Sequence, residues 1–127
     1  METNPESFIE YVSARAGDAL RAAMLFDGDE YRHLYVRSDL RATYEPSQFE
    51  DIAALFAAEH DHVLRAESTF DAGRMESMTY VLEDAIVLVF PTSGRRGGAV
   101  SLDRDAGSNL FDFVHEARTR LYGTGDE

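Results

Sequence analysis

LRAAMLFDGDEYRHLYVR, from Leu20 to Arg37, decides the fold. Leu20 to Phe26 is an apolar run of strand length, and Asp27-Gly28-Asp29 is a turn signal. In Tyr31 to Arg37, the residues Tyr31, His33 and Tyr35 alternate with Arg32, Leu34 and Val36. Successive side chains of a strand point to opposite faces. Alternation on one side of an Asp-Gly turn and an apolar run on the other predict an antiparallel hairpin.

A second group of strands lies further along the chain. Met75 to Leu82 reads as a strand, Glu83-Asp84 as a tight turn, and Ala85 to Phe90 (AIVLVF) as continuous apolar chain. That run, rich in β-branched residues, predicts a central strand covered on both faces. Pro91 to Gly98 reads as the next turn and Ala99 to Leu102 as the last strand.

Helices separate and flank the two groups. Pro46-Ser47 opens one that is expected to reach about Leu64, with Phe49, Ile52, Ala53, Phe56, His60, Val63 and Leu64 on its main apolar face. Near the start, Asn4-Pro5 is a cap followed by a first-turn proline. Phe8, Ile9, Val12 and Ala16 then share one side, and Gly17 stops the helix. Asp105 is placed to cap a last helix with Leu110, Phe113, Val114, Ala117 and Leu121 in line. The expected order is α-β-β-α-β-β-β-α. It predicts an α+β three-layer sandwich around a mostly antiparallel five-stranded sheet, with residues 1–122 as a single domain and 123–127 as a flexible acidic tail.

Composition bounds the function. Among 127 residues there is no lysine; all 12 basic residues are Arg, against 24 Asp plus Glu, for a net charge of −12. Such a surface suits molar salt, where the Debye length shrinks to roughly 3 Å and carboxylates crowd without loosening the fold. A halophilic archaeal cytosol is the expected setting. With no Cys there is no disulfide and no thiolate chemistry. The acidic N-terminus lacks the pattern of a signal peptide, and no apolar run approaches the roughly 18 residues of a membrane span. Nucleic acid is not an expected partner, because phosphate binding needs clustered basic residues. The one adjacent basic pair is Arg95-Arg96.

Two resemblances add to this reading. Gly17-Asp18-Ala19-Leu20-Arg21, Tyr31 to Asp39 (YRHLYVRSD), Leu82-Glu83-Asp84-Ala85 and Phe90-Pro91 resemble a family of small acidic haloarchaeal proteins of unknown function, over about Phe8 to Leu121. Separately, the order of elements resembles roadblock and longin domains. That resemblance implies dimerisation through a helix and a strand edge, and service as an adaptor or regulator of small GTPases.

The candidate sites are few. Glu59-His60-Asp61-His62 has metal-ligand residue types, but neighbours one or two apart on a helix point in different directions, so no metal site is expected. Gly94-Arg95-Arg96-Gly97-Gly98 fits neither a phosphate-loop nor a dinucleotide pattern. It reads as a flexible hairpin loop whose Arg95 and Arg96 are a weak anion-binding candidate. Tyr31, His33 and Tyr35 read as packing beneath a helix. His115 beside Glu116 has no nucleophile at a meaningful spacing, so no catalytic residue and no cofactor is assigned.

On the helix opened by Pro46, Ala54, Leu55, Ala58 and His62 fall away from the main apolar face. They form a candidate interface for a homodimer. The expectation is a non-enzymatic regulatory or adaptor protein acting through protein contacts. The alternative is a small-ligand sensor binding a metabolite between sheet and helix.

Overall fold

The computed structural model describes residues 4–28, 30–92, 94–107, 109 and 118–120. Helix α1 (Pro5–Ala16) starts where the Asn4 side chain accepts a hydrogen bond from the Ser7 amide at 3.1 Å. It ends at Gly17, whose φ of 56° is a left-handed value that favours glycine. Strands β1 (Leu20–Asp27) and β2 (Glu30–Val36) form the expected hairpin, pairing from Ala22 with Val36 to Asp27 with Glu30. A register shift at Ala23/Met24 adds a residue on the β2 side, while strand alternation puts Ala23 on one face and Met24 on the other.

A short helix α2 (Ser38–Thr43), not anticipated from the sequence, follows directly. The expected long helix is two helices: α3 (Pro46–Ala58) and α4 (His60–Phe70), broken at Glu59. Nothing local breaks the chain there, since Ala57-Ala58-Glu59 are good helix formers. A tertiary contact marks the end instead: Arg95 Nη1 donates to the Ala57 carbonyl at 3.3 Å. The break rotates the second half, so Val63 and Ala66 are buried while Leu64, assigned to the apolar face, is 52% exposed.

Strands β3 (Met78–Val81), β4 (Ala85–Pro91) and β5 (Arg96–Asp103) complete an all-antiparallel sheet of order β2-β1-β5-β4-β3. The expected strand at Met75 begins three residues later, and the last strand begins three residues earlier than expected. AIVLVF is an interior strand paired on both sides, but the central strand is β5. Gly97 and Gly98 therefore lie in the middle of the sheet and not in a loop. A Cβ on Gly97 would sit 2.5 Å from the Phe90 carbonyl oxygen and 2.8 Å from Phe26 Cζ. Glycine serves close packing at this point.

The sheet has a core on each face. Under α3 lie Met24, Phe26, Ala53, Phe56, Ala57, Val89 and Ala99. Under α1, Leu20, Ala23 and Val100 pack with Phe8, Ile9, Val12, Leu88 and Phe90. Val87 and Val89 of β4 face one layer, Leu88 and Phe90 the other. The three-layer α+β sandwich follows from this division. Asp105 lies in a 3-10 turn (Arg104–Gly107). The expected last helix, with Leu110, Phe113, Val114, Ala117 and Leu121, the His115-Glu116 pair, and the tail 123–127 fall outside the described residues.

Candidate functional site: the face between α3 and the sheet edge

Helix α3 crosses one face of the sheet, burying Ala53, Phe56 and Ala57. Its start is fixed by Gln48, whose side-chain oxygen accepts the Glu45 amide at 2.8 Å, with Pro46 in the first turn. That phase leaves Ala54, Leu55 and Ala58 exposed on the outer side, Leu55 by 50%. His62 is also exposed, but it belongs to α4, beyond the break at Glu59. Sequence reading missed Leu82, which follows the edge strand β3 and is 52% exposed. Leu55 and Leu82 both line the same opening between helix and sheet. One apolar opening thus joins the helix to the end of β3, the outermost strand among the described residues. The only signal for Leu82 in the sequence is its place just before the Glu83-Asp84 turn.

Behind that opening is a cavity of about 320 Å³ with walls that include Met24, Ile52, Phe56, Val87 and Ala99. Arg21 and His33 line it too. His33 is held between the rings of Tyr31 (centroids 5.2 Å apart) and Phe49 (4.4 Å), whereas Tyr35, expected to pack with them, is exposed and pairs with Ala23 across the register shift. Burial lowers the His33 pKa from its ordinary value and favours the neutral imidazole. Both of its ring nitrogens and Arg21 Nε are shielded from solvent without a hydrogen-bond partner. No other side-chain nitrogen or oxygen among the described residues is so placed.

Arg95 and Arg96 line a second cleft, of about 230 Å³, at the far end of α3, with His60, Glu67 and Arg74. Three of these groups are already engaged, Glu67 Oε2 by the Met75 amide at 2.6 Å. Arg95 reaches the Ala57 carbonyl, and Arg96 Nε lies 3.6 Å from Asp27 Oδ2. Glu59, His60, Asp61 and His62 straddle the helix break, and among the described residues no three His, Asp or Glu side chains are grouped to hold a metal ion. No described helix is long and apolar enough to cross a membrane.

The sheet order, the helix across one face and the helix on the other define a roadblock/LC7-like fold. The roadblock/LC7 domain from Streptomyces avermitilis superposes with a TM-score of 0.52 at 19% identity, covering 86% of this chain and 92% of that one. The gliding protein MglB from Thermus thermophilus gives 0.55 at 14% identity, covering 89% and 84%. An MglB with a tetrameric arrangement gives 0.55 at 12% identity, covering 98% and 90%. No curated protein matches in sequence. The family model for a domain of unknown function, DUF7522, matches residues 6–122, and the chain belongs to that family.

Proposed function

We propose that this protein is a non-catalytic regulatory or adaptor module of a haloarchaeal cytosol, working as a homodimer. The observation that carries the reading is that exposed Leu55 and Leu82 share one opening at the end of β3, the outermost strand among the described residues. An apolar helix stripe next to an outermost strand offers both side-chain burial and backbone hydrogen bonds to a twin surface. Ala54, Ala58 and His62 would flank the contact. The shared fold supports this reading at the level of architecture, and the roadblock resemblance makes a small GTPase or another regulatory protein the expected partner. The acidic rim keeps such an assembly dispersed in salt.

Light scattering in molar KCl tests the dimer. Wild type should have twice the chain mass, and Leu55→Asp the chain mass with unchanged circular dichroism. A monomeric wild type would remove the dimer. Affinity purification in the same salt tests the partner, and reproducible recovery of a small GTPase is the expected result. A second reading, the small-ligand sensor, is favoured by one observation: the apolar cavity under α3 with unpaired polar atoms in its wall.

A further inference from the structure

The three shielded, unpartnered side-chain atoms among the described residues all belong to Arg21 and His33, and both residues line the cavity under α3. Shielded polar groups in native proteins are nearly always paired, and an orphan calls for a missing partner. The two residues come from neighbouring strands, Arg21 on β1 and His33 on β2, and their side chains are engaged differently. Arg21 Nη1 reaches across to the Asp84 carbonyl in the β3–β4 turn at 3.3 Å, whereas His33 lies on β2, the edge strand of the other side. Most of the remaining lining is apolar, Met24, Ile52, Phe56, Val87 and Ala99 among it.

We infer that this cavity binds an elongated aliphatic carboxylic acid, its carboxylate on Arg21 and its apolar chain running toward His33. Arg21 Nε–H is a donor on a permanently charged group, so the complementary atom is an anionic oxygen. The neutral imidazole offers one donor and one acceptor, which suits a hydroxyl at the far end of the chain. Apolar walls reward burial of methylene groups and reject a fully polar ligand. The assignment rests on the small-ligand reading, and because Leu55 and Leu82 line both the cavity mouth and the proposed dimer face, ligand and second copy compete for this surface.

Calorimetric titration with octanoate, 1-octanol and 8-hydroxyoctanoate tests it. Octanoate should bind saturably and about tenfold more tightly than 1-octanol, with 8-hydroxyoctanoate tighter still. Arg21→Met should remove the preference for acid over alcohol. His33→Phe, which keeps a ring against Phe49, should remove only the gain from the hydroxyl. Ala22→Leu, which grows a side chain into the cavity, should abolish octanoate binding even if Arg21→Met does not fold. Equal binding of octanoate and 1-octanol, or an acid preference that survives Arg21→Met, would overturn the carboxylate assignment and leave the small-ligand reading. No binding of any of the three would remove both. Binding by Leu55→Asp but not by wild type would make a second copy of the chain the native occupant and overturn the inference.

Discussion

Arg37 grips Asp103 with two parallel hydrogen bonds, Nη1 to Oδ2 at 2.7 Å and Nη2 to Oδ1 at 3.0 Å. The same guanidinium holds Asp39 through Nε at 2.8 Å and donates to the Asp18 carbonyl at 3.0 Å. One side chain thus ties the end of β2 to the start of α2, the end of β5 and the turn before β1. A fork of this shape is specific to arginine.

Arg37→Ala should lower the melting temperature, and Arg37→Lys should recover only part of the loss, since an ammonium cannot bridge two carboxylates in this geometry. Hydrogen bonding to Arg37 holds the Asp103 and Asp39 carboxyls below their ordinary pKa. A carboxyl depressed in the folded state adds stability above its unfolded value of about 3.9, and that contribution fades as pH falls through the folded value. Denaturant melts of wild type and Asp103→Asn should therefore differ most near neutrality and converge in strong acid. A gap that widens in acid would contradict the pairing.

Gly97 and Gly98 make a contrasting pair on β5. A methyl on Gly97 meets the Phe90 carbonyl oxygen at 2.5 Å and the Phe26 ring at 2.8 Å, while one on Gly98 finds its nearest atom, Phe8 Cζ, at 3.4 Å. Gly97→Ala should cost about 1–3 kcal/mol, as expected for overpacking a close-packed core. Gly98→Ala should cost much less, because an alanine there loses less chain entropy on folding. Urea unfolding of both variants decides it; equal effects would mean that Gly97 is not needed for the approach of Phe26.

These glycines also mark where sequence reading stopped. The hairpin from Leu20, the split of β4 between two faces and the cap at Asn4 were legible because strand alternation and helix capping are local signals. The Gly-Arg-Arg-Gly-Gly run looked like a loop because its reason is the Phe26 ring, far away in sequence. The end of α3 was hidden for the same kind of reason, an arginine from the β4–β5 turn on the Ala57 carbonyl. Leu55 was legible as lying off the apolar face. Leu82 and the cavity beside it were not, since they exist only once β3 and α3 are placed over the sheet.

His33 gives a pH signature. Its imidazole is packed against Phe49 and Tyr31, and burial lowers its pKa. A group depressed in the folded state binds protons more readily when unfolded, so its stabilising effect is complete above about pH 6.5 and is lost progressively as pH falls through the folded value. Wild type should lose stability between neutrality and pH 5 relative to His33→Phe, which has nothing to protonate at that position. Carboxylates titrate lower and contribute to both proteins alike. Parallel curves for the two proteins over this range would show that His33 is free to take up its proton in the folded state.

Salt should act in the opposite direction on paired and unpaired charges, and the balance is predictable. Exposed ion pairs such as Arg96–Asp27, 3.6 Å apart, contribute about 0–1 kcal/mol and weaken on screening. Against them stands the repulsion of a chain with net charge −12, which relaxes as the Debye length falls from about 10 Å at 0.1 M to about 3 Å at 1 M. Repulsion is summed over a surface with twice as many carboxylates as arginines, 24 against 12, so the melting temperature should rise steadily from dilute buffer into molar KCl. Glu50, Asp51 and Asp61 are exposed on α3 and α4. The triple variant Glu50→Gln, Asp51→Asn, Asp61→Asn should be more stable than wild type in dilute buffer and show a shallower salt dependence. A wild type that melts at the same temperature in both salts, or a triple variant with an unchanged slope, would mean that surface repulsion does not govern the stability of this fold.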